Sequence, residues 1–288
     1  MITIEKDIAG LKFGSNLVTD ETTGEIDYAA IDGHAEEILE VAQEFCPVIF
    51  TSGAASSGKA YLERNGVDTS RFGSQELAAA GTDEISRAWK EALITRGMVG
   101  VQVLANHDQM KRGSVLMQTL LHGIGLGIVY VINENDQENL YEIRRYEEEH
   151  EQAQIDQYSS ADRQKEPGID NDLLAARGVV ALKEELEAEG FSELRVHLAL
   201  FTAVGGFLDG EAIRTELRSK DKTSLLQQCD GKSEAGTGGM AFKLEAGFLA
   251  AENGISTTIA SPRHRFLNVL KGIDVSGQTI PVGTRVLK

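Results

Sequence analysis

Short apolar runs recur along this chain, and each ends in small or polar residues before a helical pattern takes over. Residues 8–13 run into Gly14-Ser15-Asn16, and residues 48–51 into Ser52-Gly53-Ala54. Residues 128–132 run into Asn133-Glu134-Asn135-Asp136, and residues 194–202 into Ala203-Val204-Gly205-Gly206. Strands that read as continuous apolar runs are covered on both faces, and strand alternating with helix places helices there. This alternation predicts an α/β fold: a three-layer αβα sandwich around a mostly parallel sheet. A ligand of such a sheet sits beyond the carboxyl ends of the strands, where these small and polar residues collect.

Local signals fill in the elements. Asp27 is placed to cap a helix whose apolar positions Ile31, Ala35, Ile38, Leu39, Ala42 and Phe45 keep helical spacing, with Pro47 ending it. Further helices are expected over 74–96, 108–122, 172–189, from the glycine loop at 236 to 253, and near 265–271. Strands are expected over 98–104, 255–260 and 284–287, and 203–236 reads as irregular. Gly190-Phe191 divides an N-terminal lobe, 1–190, from a C-terminal lobe, 191–288, with the ligand between them. Residues 139–165 are densely charged, with Arg144 and Arg145 among glutamates, and form an insertion of about 137–167 expected to be an exposed helix or flap.

Two segments suggest phosphate binding. In Gly236-Thr237-Gly238-Gly239-Met240 the glycines let a backbone turn close to a ligand. The helix that follows offers its N-terminal N–H groups and positive dipole end, and Lys243 adds a full charge. Gly53 to Lys59 also fits the G-x-x-x-x-G-K cradle after a strand, but Ala60 stands where Ser or Thr must hold Mg²⁺.

Charge and composition exclude other classes. A net charge of −17 repels nucleic acid and anionic lipid, so neither is an expected partner. Glu5, Lys6 and Asp7 rule out a signal peptide in residues 1–10, which points to the cytoplasm. Gln118, Thr119, His122 and spaced glycines break up residues 113–133, so no membrane span is expected. Cys46 and Cys229 have neither a C-x-x-C partner nor a nearby His cluster, and no protein-bound metal is expected.

Lys12-Phe13-Gly14-Ser15, Thr51-Ser52-Gly53-Ala54, Asn133-Glu134-Asn135-Asp136, Asp170-Asn171-Asp172 and Gly236-Thr237-Gly238-Gly239-Met240 with Lys243-Leu244 together resemble the amino acid kinase family, in its glutamate 5-kinase branch. Order and strand context agree over nearly the whole chain. The resemblance implies ATP-dependent phosphorylation of an amino acid side-chain carboxylate, most simply L-glutamate to L-glutamyl 5-phosphate, as in proline biosynthesis. Lys12, Lys243 and Asp172 would be catalytic, the aspartate holding two ammonium groups in place. Ser52, Gly53, Ala54, Asn133, Asp136, Asp170 and Asn171 would receive the amino acid. Lys12, Gly14, Thr202, Ala203, Gly236, Thr237, Gly238, Gly239, Met240 and Lys243 would face the nucleotide, with Mg²⁺ held by ATP. A homo-oligomer, a downstream enzyme consuming the acyl phosphate, and the absence of the family's C-terminal RNA-modification-type domain are further expectations. Thr202-Ala203 stands where the family carries Thr-Asp, and Gly206-Phe207-Leu208-Asp209 replaces a G-L-Y-x-x-D-P segment. Phosphoryl transfer to another amino acid or to carrier-bound glutamate is the alternative chemistry, and a non-catalytic nucleotide or amino-acid sensor the alternative class.

Overall fold

The computed structural model describes residues 3–136, 171–229, 239–272 and 282–288. Its core is one eight-stranded sheet in the order β3-β4-β2-β1-β5-β9-β10-β8. The strands are β1 (Asp7–Phe13), β2 (Phe45–Thr51), β3 (Val99–Ala105), β4 (Ile128–Glu134), β5 (Val196–Phe201), β8 (Glu216–Arg218), β9 (Ser256–Ala260) and β10 (Thr284–Leu287). Every pairing is parallel except β10 against β9. A small antiparallel hairpin, β6 (Leu208–Asp209) with β7 (Ala212–Ile213), stands apart. The sheet runs through both halves of the chain without a break.

Helices cover both faces, as the continuous apolar strands require. On one face α1 (Tyr28–Glu44), α3 (Ser74–Ile94) and α8 (Phe266–Lys271) pack over Ala9, Leu11, Phe13, Ile49, Val131 and Phe201. On the other, α4 (Val115–Gly125), α5 (Asn171–Ala188), α6 (Lys222–Cys229) and α7 (Gly239–Glu252) pack over Ile8, Val48, Phe50, Ile132, Leu198 and Leu200. One further helix, α2 (Ala54–Arg64), follows β2 and lies against α3.

Strand periodicity decides where the chemistry points. In β1 the side chains of Ala9, Leu11 and Phe13 enter the α1/α3/α8 layer, so Ile8, Gly10 and Lys12 face the α5/α7 layer. Gly10 is required there, because a Cβ would lie 2.5 Å from Val179 Cγ1 of α5. That close approach of α5 to β1 brings the start of the helix over Lys12.

Asp27 caps α1 as expected, its Oδ1 accepting the Ala30 N–H at 2.9 Å. Three local expectations are corrected. Pro47 lies inside β2 and does not end α1; the helix closes at Glu44, and Phe45 opens the strand. Pro47 is tolerated because β2 pairs with β4 only from Val48 onward, so its missing N–H interrupts no ladder on that side. Residues 108–122 are not one helix: His107–Gln109 is a 3₁₀ turn, and α4 starts after Ser114, whose Oγ accepts the Met117 N–H at 3.1 Å. Within 203–236 the structure forms the β6–β7 hairpin, β8 and α6, and β8 gains its ladder only by pairing with the distant β10. The insertion at 137–167 lies outside the described residues.

Candidate active site

The chain leaves β1 for β2 on one side and returns to β5 on the other, so connections diverge at the carboxyl ends of β1 and β5. Such a divergence opens a crevice in an α/β sheet. Helices α5 and α7 lead into the parallel strands β5 and β9, so both begin at this same end of the sheet. Lys12 comes from the last turn of β1, Asp172 from the first turn of α5, and Lys243 from about one turn into α7.

These three side chains meet. Asp172 Oδ1 lies 2.9 Å from Lys12 Nζ, and Asp172 Oδ2 accepts a hydrogen bond from Lys243 Nζ at 2.8 Å. All three are buried, at 3% exposure for Lys12, 2% for Asp172 and 9% for Lys243. Burial alone would raise the carboxyl pKa of Asp172, but the two ammonium groups outweigh it and hold the carboxyl below the usual carboxylate range. Two cations on one anion leave a net positive charge in a site largely closed to water. A site so built recognises a dense anion and resists its own dispersal, since the carboxylate keeps two like charges from separating.

Around the trio, the expected amino-acid residues occupy the ends of β2 and β4. Gly53 has φ 101°, a left-handed conformation open to glycine, and it turns β2 directly into α2 at Ala54. Ser52 is half-buried beside it, its N–H bonded to Phe13 O at 3.2 Å. Asn133 is 2% exposed, and among the described residues neither its Oδ1 nor its Nδ2 has a hydrogen-bond partner. Buried amides are nearly always satisfied, so an open one at a strand end is suited to a polar ligand. Asn171 Oδ1 accepts the Glu134 N–H at 3.0 Å, which ties the end of β4 to the start of α5. Asp136 is half-buried at the edge of the described segment, and Asp170 lies outside it.

Of the residues expected at the nucleotide, Gly14 follows β1, Thr202 follows β5 with its N–H on Ala260 O at 2.9 Å, and Ala203 is exposed. Gly239 and Met240 open α7, while Gly236, Thr237 and Gly238 lie outside the described residues.

The G-x-x-x-x-G-K segment is not a phosphate cradle. Gly58 and Lys59 lie in the middle of α2, whose N–H groups are used by the helix itself, and Lys59 is exposed, 3.9 Å from Glu63. Gly58 serves another purpose: a Cβ there would overlap Leu77 O of α3, and one at Gly81 would overlap Ala54 O of α2. The glycines let two helices touch, so the motif reflects packing.

Sequence reasoning passed over His107, which lies against Glu134 at the end of β4. A signal was available in Asn106-His107-Asp108-Gln109, a capping box whose Gln109 side chain accepts the Asn106 N–H at 2.8 Å.

The amino acid kinase family model matches residues 11–149. The glutamate 5-kinase of Alcanivorax borkumensis is 31% identical over 258 residues, covering 88% of this chain and 61% of the relative. That of Myxococcus xanthus is 29% identical over 290 residues, covering 96% of this chain and 67% of the relative. The chain thus spans about three-fifths to two-thirds of the length of these curated relatives. Among solved structures, carbamate kinase from Giardia lamblia bound to AMP-PNP superposes with a TM-score of 0.60 at 13% identity, covering 98% of this chain and 99% of that one. UMP kinase from Ureaplasma parvum superposes with a TM-score of 0.55 at 13% identity, covering 99% of this chain and all of the other. At such identity the likeness speaks for the fold, and the three-layer architecture with a mostly parallel sheet is shared.

Proposed function

We propose that this chain, whose residues 11–149 match the amino acid kinase family model, transfers the γ-phosphoryl group of ATP to an amino acid side-chain carboxylate, most simply converting L-glutamate to L-glutamyl 5-phosphate. The observation that carries this reading is the buried Lys12–Asp172–Lys243 trio. Transfer between two anions is limited by their repulsion, so a site for it must place fixed positive charge where negative charge gathers. The half of the sheet from β1 to β4 would serve the amino acid, and the half with β5, β9 and α7 the nucleotide.

Each side chain then has a role. Lys12 and Lys243 would hold the phosphate oxygens and offset the charge that builds on the phosphoryl group in flight. Asp172 would keep both ammonium groups aimed, making no bond to the substrate. Ser52, Gly53 and Ala54 would receive the amino acid through a hydroxyl and the free N–H groups at the start of α2, and Asn133, Asp136 and Asn171 would read its polar ends, joined by Asp170. Gly14, Thr202, Ala203 and residues 236–240 would line the nucleotide side. An oxygen of the substrate carboxylate attacks phosphorus, the bond from phosphorus to the β–γ bridging oxygen breaks, and ADP leaves with that electron pair. No general base is needed, since a carboxylate is ionised at neutral pH.

The residues fit a polyphosphate, because their net charge is positive in a buried place. Among the described residues no group of three or more His, Cys, Asp or Glu is arranged to hold a metal ion. Mg²⁺ would therefore arrive on the phosphates of ATP, where it shields their charge.

The test is trapping with hydroxylamine: protein, ATP, Mg²⁺ and a panel of amino acids, read as hydroxamate. Glutamate should give the largest signal. Inactivity across the panel, with ATP still bound by calorimetry, would overturn the kinase reading in favour of a sensor.

A further inference from the structure

We propose that His107 and Glu134 form a positioning pair that fixes the amino-acid side of the site from behind. The inference rests on the kinase reading and adds two residues to it. The His107 side chain is 9% exposed and that of Glu134 6%, and Nε2 of the imidazole lies 3.5 Å from Oε1 of the carboxylate. Among the described residues neither ring nitrogen of His107 has a hydrogen-bond partner. A buried imidazole without bonds is a poor way to stabilise a strand end, where an apolar pair would do better. A contraction of about 0.7 Å converts the contact into a hydrogen bond of about 2.8 Å.

The surroundings give that contact leverage on the substrate. Glu134 is the last residue of β4, and strand alternation sends its side chain to the α4/α5 face while Asn133 points to the other. Glu134 acts through the backbone of the strand end, from the face opposite to that of Asn133. That backbone is held at two further points: the Glu134 N–H bonds Asn171 Oδ1 at 3.0 Å, and the Asn135 N–H bonds Ala105 O at 3.1 Å. His107 itself is fixed by the Asn106–Gln109 capping box, and its carbonyl accepts the Met110 N–H at 3.1 Å. A rigid turn after β3 thus presses on the end of β4, between Asn133 and Asp136, and the same clamp reaches Asn171 beside Asp172. Loosening it displaces the groups that read the amino acid and leaves Lys12 and Lys243 paired to Asp172.

His107→Ala, His107→Gln and Glu134→Gln are to be compared with wild type in the hydroxamate assay, with L-glutamate and ATP each varied. His107→Ala should raise KM for glutamate about ten-fold while KM for ATP stays within about two-fold. His107→Gln, whose amide can still donate to the carboxylate, should recover most of that loss. Should His107→Ala fail to fold, Glu134→Gln and His107→Gln carry the comparison. An unmoved glutamate KM in an active protein overturns the positioning role and leaves the kinase reading standing. Equal rises in both KM values, with a lowered Tm and no recovery in His107→Gln, show a structural residue only and overturn it as well. A wild type inactive on every amino acid sinks the kinase reading, and this inference falls with it.

Discussion

Replacing Lys243 with methionine keeps most of the length of the side chain and removes its charge. In the folded protein two ammonium groups, 2.9 and 2.8 Å from Asp172, share one carboxylate. The substitution therefore takes the trio from a net charge of about +1 to about zero. A unit charge about 4 Å from the transferring phosphoryl is worth about 4 kcal/mol at an effective dielectric constant near 20. Losing one preorganised donor to a developing anion costs about 2.7–4 kcal/mol, or 10²–10³ in kcat. The two routes agree, so Lys243→Met should lower kcat for hydroxamate formation about 10²–10³-fold. The fold should persist, because Asp172 keeps Lys12 and no buried charge is left unpaired. Removing Asp172 instead would leave two buried like charges, so Asp172→Ala should cost stability as well as activity. The assay is the ATP-dependent hydroxamate rate at saturating substrates, paired with a thermal melt. A loss of kcat under ten-fold in Lys243→Met, with Tm unchanged, would show that this ammonium is not aimed at the phosphoryl and would refute the argument.

Lys59→Ala should leave kcat and both KM values within about two-fold, because an exposed helix-surface lysine 3.9 Å from its partner contributes little; a loss matching that of Lys243→Met would revive a phosphate role for the segment. Gly81→Ala should destabilise the protein by about 1–3 kcal/mol, since the added methyl overlaps Ala54 O, and urea unfolding that matches wild type would contradict that packing. Burial pushes the His34 imidazole below its ordinary pKa of 6.5, so the folded state resists a proton that the unfolded chain accepts. Its contribution to stability is present above pH 6.5 and is lost as pH falls below it, by at most about 1.4 kcal/mol per pH unit. Tm measured from pH 7.5 to 5.5 should fall less steeply in His34→Gln than in wild type, and equal slopes would refute the assignment.

What could be read from the chain alone depended on whether the cause was local. Lys12, Asp172 and Lys243 each stand at a strand end or a helix start that the apolar pattern locates, but it was the resemblance to the amino acid kinase family that brought the three together. Asp27 was legible for the same reason, since a cap is a matter of three residues. Pro47 misled because its cost depends on which neighbour needs its N–H, and that is set by pairing with β4, more than 80 residues away. Gly58 was ambiguous in a second way: Ala60 argued against a phosphate loop, but a glycine needed for helix contact and one needed for a phosphate look alike until the partner helix is placed. The β8 strand was invisible because three residues carry no period, and among the described residues its ladder is with β10 at the far end of the chain. His107 escaped notice for a related reason. The capping box around it marks a turn but no role, and its meaning comes from Glu134, placed beside it when β3 and β4 pair Ala105 with Glu134.

The register of β1 is the point on which the whole site turns. Along this strand Ala9, Leu11 and Phe13 enter one layer, and Phe13 stacks there with Phe201 at 5.0 Å and His34 at 4.8 Å. Lys12 lies between two of these residues and so must enter the other layer, where α5 and α7 begin. A slip of one residue against β2 and β5 would drive the ammonium unpaired into the aromatic cluster and set Phe13 against Asp172, which would keep only Lys243. Neither placement is tolerable, so the hydrophobic packing of one face enforces the electrostatics of the other. The lysine needs no flexible loop to reach the site. Its position is fixed by the same alternation that builds the core, so a charge is held in advance where, in the proposed reaction, a transferring anion would pass.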